Sequence, residues 1–264
     1  MVDSIKSEKI VQFLDADLKD IIKIEVLEKA TSTNTLIRQR ANELEEGFVI
    51  VAEEQTAGRG RLGRTFFSPD KTGLYISVFL KPRIAPQDAA LITTAAAVAV
   101  CEALEKAGAD NPQIKWVNDI FVNNKKACGI LTEASFNAQS GMLDYAILGV
   151  GINIYEPEGG FPEDINNIAG AVFTEKNEDL RNRVIAYFLN SFMRYYQNLS
   201  EKAYFDKYTE KCFVLGKDIN VFCGDSVRCA KALSLDENCG LRIEYDNGEK
   251  AVLSSGEISI RVKE

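Results

Sequence analysis

The sequence predicts an α+β fold: a mixed β-sheet with helices to about residue 212, then a small all-β unit. Three features carry this. Apolar residues alternate at strand spacing in several early segments, but at Leu180, Val184, Phe188, Phe192 and Tyr195 they recur at helical spacing. The alanine-rich stretch Ala89 to Leu104 reads as a buried helix. After Gly216 short strands follow one another, broken by Gly224-Asp225, Asn238 to Gly240 and Asn247-Gly248, which is the spacing of a small β-barrel.

Taken in order, residues 1–22 mix charged and apolar positions and read as an arm or short helix. Lys23 to Lys29 alternates as a strand, and Thr31-Ser32-Thr33-Asn34 offers side-chain oxygens to cap a helix over Leu36 to Leu44. A strand, Phe48 to Glu53, precedes a Gly- and Arg-rich loop, Gln55 to Thr72. Gly73 to Leu80 is then an apolar strand ended by Pro82. A helix from about Pro86 to Ala107 leads to strands Ile114–Val117, Ile120–Val122, Ala127–Ala134 and Leu143–Ile154, with Asn123 to Lys126 as a hairpin turn. Gly159-Gly160 and Asn166-Asn167 mark a loop before the second long helix. The last strands are Asp218–Phe222, Ser226–Leu235, Leu241–Tyr245, Lys250–Leu253 and Ile258–Val262. The expected division is an N-terminal arm (1–22), a main domain (23–212) and a small barrel (213–264), as suits a chain of 264 residues.

Composition narrows the chemistry. With 31 basic and 39 acidic residues the net charge is -8, which argues against non-specific coating of DNA or an anionic membrane. An anionic ligand must therefore meet a local basic site. The absence of histidine removes the commonest general base, every histidine triad and the usual zinc sites. The six cysteines form no C-x-x-C pair, and Met1-Val2-Asp3-Ser4 does not start a signal peptide, so reduced thiols in a cytoplasmic protein are expected. Cys223, Cys229 and Cys239 are irregularly spaced without a fourth ligand, and no metal site is assigned to them. The apolar stretch at 89–104 carries Thr93, Thr94 and Glu102 and is too short for a bilayer. Neither DNA nor membrane is expected as a partner, while pairing of two copies through a sheet edge stays open.

The chemistry concentrates in Gly58-Arg59-Gly60-Arg61-Leu62-Gly63-Arg64. It matches G-x-G-x-x-G formally, but Thr65 to Pro69 leads through loop into another strand, where a dinucleotide fold needs a helix. No G-K-[ST] follows, so a P-loop is excluded as well. Glycines let backbone approach a ligand, and arginines offer planar forks for carboxylate or phosphate oxygens, so the pattern suits an anion-wrapping loop. Alone, it equally suits a solvated basic loop. Lys115-Trp116-Val117-Asn118-Asp119 is a second polar group at a strand end, with Lys126 across the hairpin. Alternation would point Lys115, Val117 and Asp119 one way and Trp116 and Asn118 the other. An exposed strand end with salt bridges is the plainer account, with Trp116 in the core under either.

Four motifs in order, Gln55-Thr56-Ala57 with Gly58 to Arg64, Lys115 to Asp119, Lys126-Ala127-Cys128-Gly129-Ile130-Leu131 and Gly149-Val150-Gly151-Ile152-Asn153, resemble the biotin protein ligases. The likeness runs from about residue 25 to 264. Ser32-Thr33-Asn34 looks like the family's early biotin-contacting motif, and Ser255 to Arg261 looks like the end of its Src-homology-3-like barrel. The resemblance implies a catalytic domain like those of class II aminoacyl-tRNA synthetases. It implies ATP and biotin as substrates with magnesium, and a biotin carboxyl carrier domain as acceptor.

Carried over residue by residue, the resemblance implies that Ser32, Thr33 and Gln55 bind the ureido end of biotin, with Asn34 a further biotin contact. Gly58, Arg59, Gly60 and Arg61 would close over biotin and its adenylate, with Arg59 and Arg64 towards the phosphates. Lys126 would face the biotin carboxylate and α-phosphate, and with Arg61, Arg64, Asn118 and Asp119 it makes up the implied catalytic set. Lys115, Trp116, Asn118, Asn153 and Arg261 would lie on the nucleotide side. Val117 stands where the family very often has proline, and Phe66 where tryptophan is frequent. The family's repressor forms carry a winged helix-turn-helix first, and about thirty residues precede Ser32 here, so a ligase without the repressor is expected. The rivals are a lipoate or octanoate ligase of the same superfamily, against which the arginine loop counts, and a non-catalytic biotin-binding regulator.

Overall fold

The computed structural model of the chain describes residues 3–224, 226–254 and 258–262, with 258–261 described by backbone alone. Helix α1 (Ser7–Phe13) is followed by β1 (Lys23–Ala30), α2 (Thr33–Gln39), β2 (Phe48–Gln55), β3 (Gly73–Leu80) and α3 (Ala90–Lys106). Then come β4 (Gln113–Lys115), β5 (Asp119–Val122), β6 (Lys125–Asn137), β7 (Met142–Asn153), α4 (Leu180–Gln197) and α5 (Phe205–Lys211). The first seven strands form one sheet in the order β1-β2-β3-β7-β6-β5-β4, parallel at β1–β2 and antiparallel elsewhere. The mixed sheet with helices is as the sequence predicts.

β3 is buried along its whole length because both faces of the sheet are covered there, so its sequence reads as a continuous apolar run. Leu74, Ile76, Val78 and Leu80 join the core containing α3 and α4, while Phe79 packs with Ile50 and Ile147 against Ile37 of α2. With the 3-10 turn before it, α3 is long and apolar enough to cross a membrane by length and composition, which the shorter span read from sequence did not reach. Its residues Leu91 to Cys101 are all buried, and it serves as the central core helix.

The segment before β1, read as an arm or short helix, contains α1 and is folded into the body. Ile5, Ile10, Leu14, Leu18 and Ile22 are buried in the main core. Arg181, 1% exposed, pairs with Asp3 and with Glu53 of β2. Asn182 Nδ2 donates to Ser4 O at 2.9 Å, and Lys6 N donates to Asn182 Oδ1 at 2.9 Å.

The C-terminal strands β8 (Asp218–Cys223), β9 (Ser226–Leu235), β10 (Leu241–Tyr245), β11 (Lys250–Leu253) and β12 (Ile258–Val262) form an antiparallel sheet in the order β11-β10-β9-β8-β12. This is the small Src-homology-3-like unit expected. Its core is continuous with the main one, and Trp116 Nε1 donates to Cys239 O at 2.8 Å. Helix α5, absent from the sequence reading, lies beside this junction, where the Tyr208 hydroxyl donates to Val117 O at 3.1 Å.

The largest departure is at Lys115 to Asp119. β4 stops at Lys115, residues 116–118 turn, and Asp119 pairs back across from Lys115. The peptide bond between Trp116 and Val117 is cis. Strand alternation therefore does not apply here: Val117 is buried, while Lys115, Trp116, Asn118 and Asp119 all line one cleft.

Candidate active site

The cleft begins with register. On the face covered by α2, antiparallel pairing sets Ser77, Gly149 and Leu131 in one cross-strand row and Tyr75, Gly151 and Gly129 in the next. A Cβ on Gly149 would lie 2.3 Å from Asn34 Oδ1, and one on Gly151 2.6 Å from the Phe66 ring. Glycine at these two positions hollows the sheet beneath α2 and the arginine loop.

One end of the hollow is neutral and polar. Ser32, Thr33 and Asn34 are buried at the start of α2, which spans Thr33–Gln39 instead of beginning at Leu36. The expected cap bond is absent: Ser32 stands at the N-cap position without a side-chain cap bond, and lines the cleft. Thr33 N and Oγ1 donate to Gln55 Oε1 at 2.9 and 3.2 Å, and Gln55 Nε2 donates to Ser68 Oγ at 3.1 Å. Ser68 Oγ in turn donates to Phe66 O at 2.9 Å, so this polar chain ties the loop to the start of α2.

The other end is cationic. Gly60 N donates to Arg64 O at 2.7 Å and Phe66 N to Gly58 O at 2.9 Å, folding the loop into a short hairpin with a turn at Arg61–Gly63. Leu62 and Gly63 take φ of 56° and 72°, the left-handed region in which glycine is favoured. Arg59, Arg61, Arg64, Lys115 and Lys126 line the cleft, and Asp119 supplies the carboxylate among its lining residues. A local excess of positive charge thus sits inside a chain of net charge -8.

Arg61 Nη1 donates to Asn118 Oδ1 at 2.9 Å, and Asn118 Nδ2 donates to Ile130 O at 2.9 Å. Burial lowers the Arg61 pKa, with the Asp119 charge acting in the opposite direction. Lys126 Nζ lies 2.6 Å from Asp119 Oδ1. Arg59 Nη1 is 3.1 Å from Glu133 Oε1, which also pairs with Arg38, while Asn34 Nδ2 donates to Glu133 Oε2 at 2.9 Å.

Most residues singled out from sequence meet here: Ser32, Thr33, Asn34, Gln55, Arg59, Gly60, Arg61, Arg64, Lys115, Trp116, Asn118, Asp119 and Lys126. Three do not. Gly58 is buried at the loop base, where a Cβ would lie 2.4 Å from Phe66 O, so it serves close packing. Asn153 Nδ2 donates to Gly170 O at 3.2 Å, and the residue is absent from the cleft lining. Arg261 lies in β12, but its side chain, like Ser255, Gly256 and Glu257, is outside the described residues. Sequence reasoning passed over Glu133, which anchors Arg59, and gave no role to Gly149 and Gly151. The G-V-G break in an apolar strand was the available signal for those two. All six cysteines are free thiols, and no metal-binding cluster occurs among the described residues.

Residues 25–153 match the model of the biotin/lipoate A/B protein ligase family. The bifunctional ligase/repressor BirA of Bacillus subtilis is 33% identical over 218 residues, 81% of this chain and 66% of its own length, so the chain spans a little under two thirds of that relative. Biotin protein ligase from Aquifex aeolicus, solved in complex with biotin and ATP, aligns at a TM-score of 0.76 and 29% identity, covering 91% of this chain and 99% of that one. A variant of the Aquifex aeolicus enzyme in complex with biotin gives 0.74 and 30%, over 90% and 98%. With this sequence identity along nearly the full length of a solved biotin protein ligase, the chain belongs to the biotin/lipoate A/B protein ligase family, among its biotin protein ligases.

Proposed function

We propose that the chain is a biotin–[biotin carboxyl-carrier protein] ligase, forming biotinyl-5'-AMP from biotin and ATP and passing the biotinyl group to a lysine of a carrier domain. The observation that carries this reading is the cleft's polarity. Along the strands a ligand meets neutral polar groups at Ser32, Thr33 and Asn34, then a glycine floor, then Lys126 and the loop arginines. A ring system with a polar ureido head, an apolar body and a carboxylate tail fits that order.

In the first step a biotin carboxylate oxygen attacks the α-phosphorus and pyrophosphate leaves. Both reactants are anions, so Lys126, Arg61 and Arg64 lower the barrier by offsetting their repulsion. Arg61 is itself oriented by Asn118. In the second step the acceptor amine attacks the acyl carbon, an amide forms and AMP leaves. No step needs histidine, in keeping with a chain that has none. The mixed anhydride is open to water, which gives the loop hairpin its use as a cover.

Asp119 is the carboxylate lining the cleft, and magnesium commonly binds through one carboxylate plus substrate phosphates, so the donor set fits that ion. Bound there, magnesium would neutralise phosphate charge. Free thiols at all six cysteines agree with a cytoplasmic setting. The test is ATP–pyrophosphate exchange with biotin and with lipoate side by side. Exchange with biotin well above that with lipoate is expected, and exchange with neither would overturn the reading.

A further inference from the structure

Lys126, the cleft ammonium, is held in an unusual way. Pairing of β6 with β7 begins at Cys128 opposite Ile152, two residues further along. Against β5 the register shifts, so that Cys128 faces Ile120 and Lys126 faces Phe121, leaving Ala127 as the extra residue of a bulge. The place β7 would occupy is filled by a returning segment: Lys126 N donates to Ile168 O at 2.7 Å, and Gly170 N donates to Lys126 O at 3.0 Å. That segment is braced in turn. Lys125 Nζ donates to the carbonyls of Asn166 and Asn167 at 3.2 and 2.7 Å, and Asn153 Nδ2 donates to Gly170 O at 3.2 Å. A Cβ on Gly170 would lie 2.4 Å from Lys125 Cβ, an atom too near the backbone to swing aside.

We propose that Lys125 and Gly170 are positioning residues for Lys126. Lys125 braces residues 166–170, and Gly170 lets that segment close on β6, so that the ammonium meets the reacting carboxylate and α-phosphate. The proposal rests on the adenylation reading above.

The experiment measures biotin-dependent ATP–pyrophosphate exchange for the intact chain, Lys125→Met, Lys125→Arg and Gly170→Ala, the substitutions also being combined with Lys126→Ala. Misplacing a catalytic group by ~1 Å can cost ~100-fold, and one brace among several is removed here, so kcat should fall about 10-fold in Lys125→Met and Gly170→Ala. The KM for biotin should stay within about 2-fold, because the polar end of the cleft is untouched. Lys125→Arg keeps its donors and should recover most of the rate. Gly170→Ala keeps the Lys125 charge, so a matching loss in both variants separates bracing from loss of positive charge. With Lys126→Ala present, neither substitution should lower the residual rate further, since a lost aim has no effect once the aimed group is gone. Unchanged kcat in both variants, or losses that multiply with Lys126→Ala, would overturn the proposal and leave the reaction standing. An intact chain without biotin-dependent exchange would overturn the reaction itself. Should Gly170→Ala fail to fold, the surface pair Lys125→Met and Lys125→Arg decides alone.

Discussion

Replacing Lys126 by alanine separates catalysis from stability. The ammonium lies 2.6 Å from Asp119 Oδ1, an oxygen shielded from water in the pair, but the two side chains keep 30% and 18% exposure on the open cleft, so truncating Lys126 lets water reach the carboxylate. Losing an ion pair of that kind costs the fold at most about 1 kcal/mol, and no core cavity opens. The cost in rate is larger. A preorganised donor to developing charge is worth about 100- to 1000-fold, or roughly 2.7 to 4.1 kcal/mol in the barrier. The variant should therefore melt within a few degrees of the intact chain, yet lose at least about 99% of its exchange rate. Biotin-dependent pyrophosphate exchange and a thermal melt followed by circular dichroism, on the same preparation, read both quantities. Exchange within about threefold of the intact chain would place the catalytic lysine elsewhere. A melt that collapses in step with the rate would make Lys126 structural instead.

Four further outcomes are expected. Biotin with ATP should protect the bonds after Arg59, Arg61 and Arg64 from trypsin, as read by mass spectrometry, because anions draw together arginines that otherwise repel. Gly149→Ala should weaken biotin binding in calorimetry by at least about 10-fold, since its methyl must displace Asn34 from the floor. Arg181→Met leaves Asp3 and Glu53 without their buried partner and should cost about 3 to 5 kcal/mol in urea unfolding. Burial alone would raise the Glu102 pKa, but hydrogen bonds from Lys207, Ser191 and Tyr195 leave it lowered from 4.5, so its contribution is present above 4.5 and lost as pH falls through the lower folded value. Glu102→Gln should accordingly flatten the stability–pH curve below pH 4.5, and an unchanged acid limb would refute that assignment.

The strands were legible because their apolar patterns are set by which faces are buried, and β3 could read as unbroken only if both were covered. The loop arginines and Lys126 were legible as types of residue, since cations gathered by glycine in an acidic chain ask for an anion. Their arrangement was not, because it depends on pairing across strands. Gly149 meets Ser77 and Leu131, and Gly151 meets Tyr75 and Gly129, through register between segments up to 76 residues apart, a relation that no local window contains. Helix α5 was missed for a related reason: at seven residues it is too short to show a helical period, and Tyr204 and Tyr208 find their partners far along the chain, in Leu91 of α3 and Val117 of the β4–β5 turn. The error at Lys115 to Asp119 shows the principle most sharply. Two-residue alternation assigns faces correctly while a strand continues, but a turn over 116–118 puts Lys115 and Asp119 opposite each other on neighbouring strands. Polar residues that alternation would have split between two faces of the sheet then share one cleft. Reactive groups brought together by a turn are hidden from any reading that assumes the strand runs on, and the same holds for Lys126, whose backbone partners come from residues 168–170 instead of from the next strand.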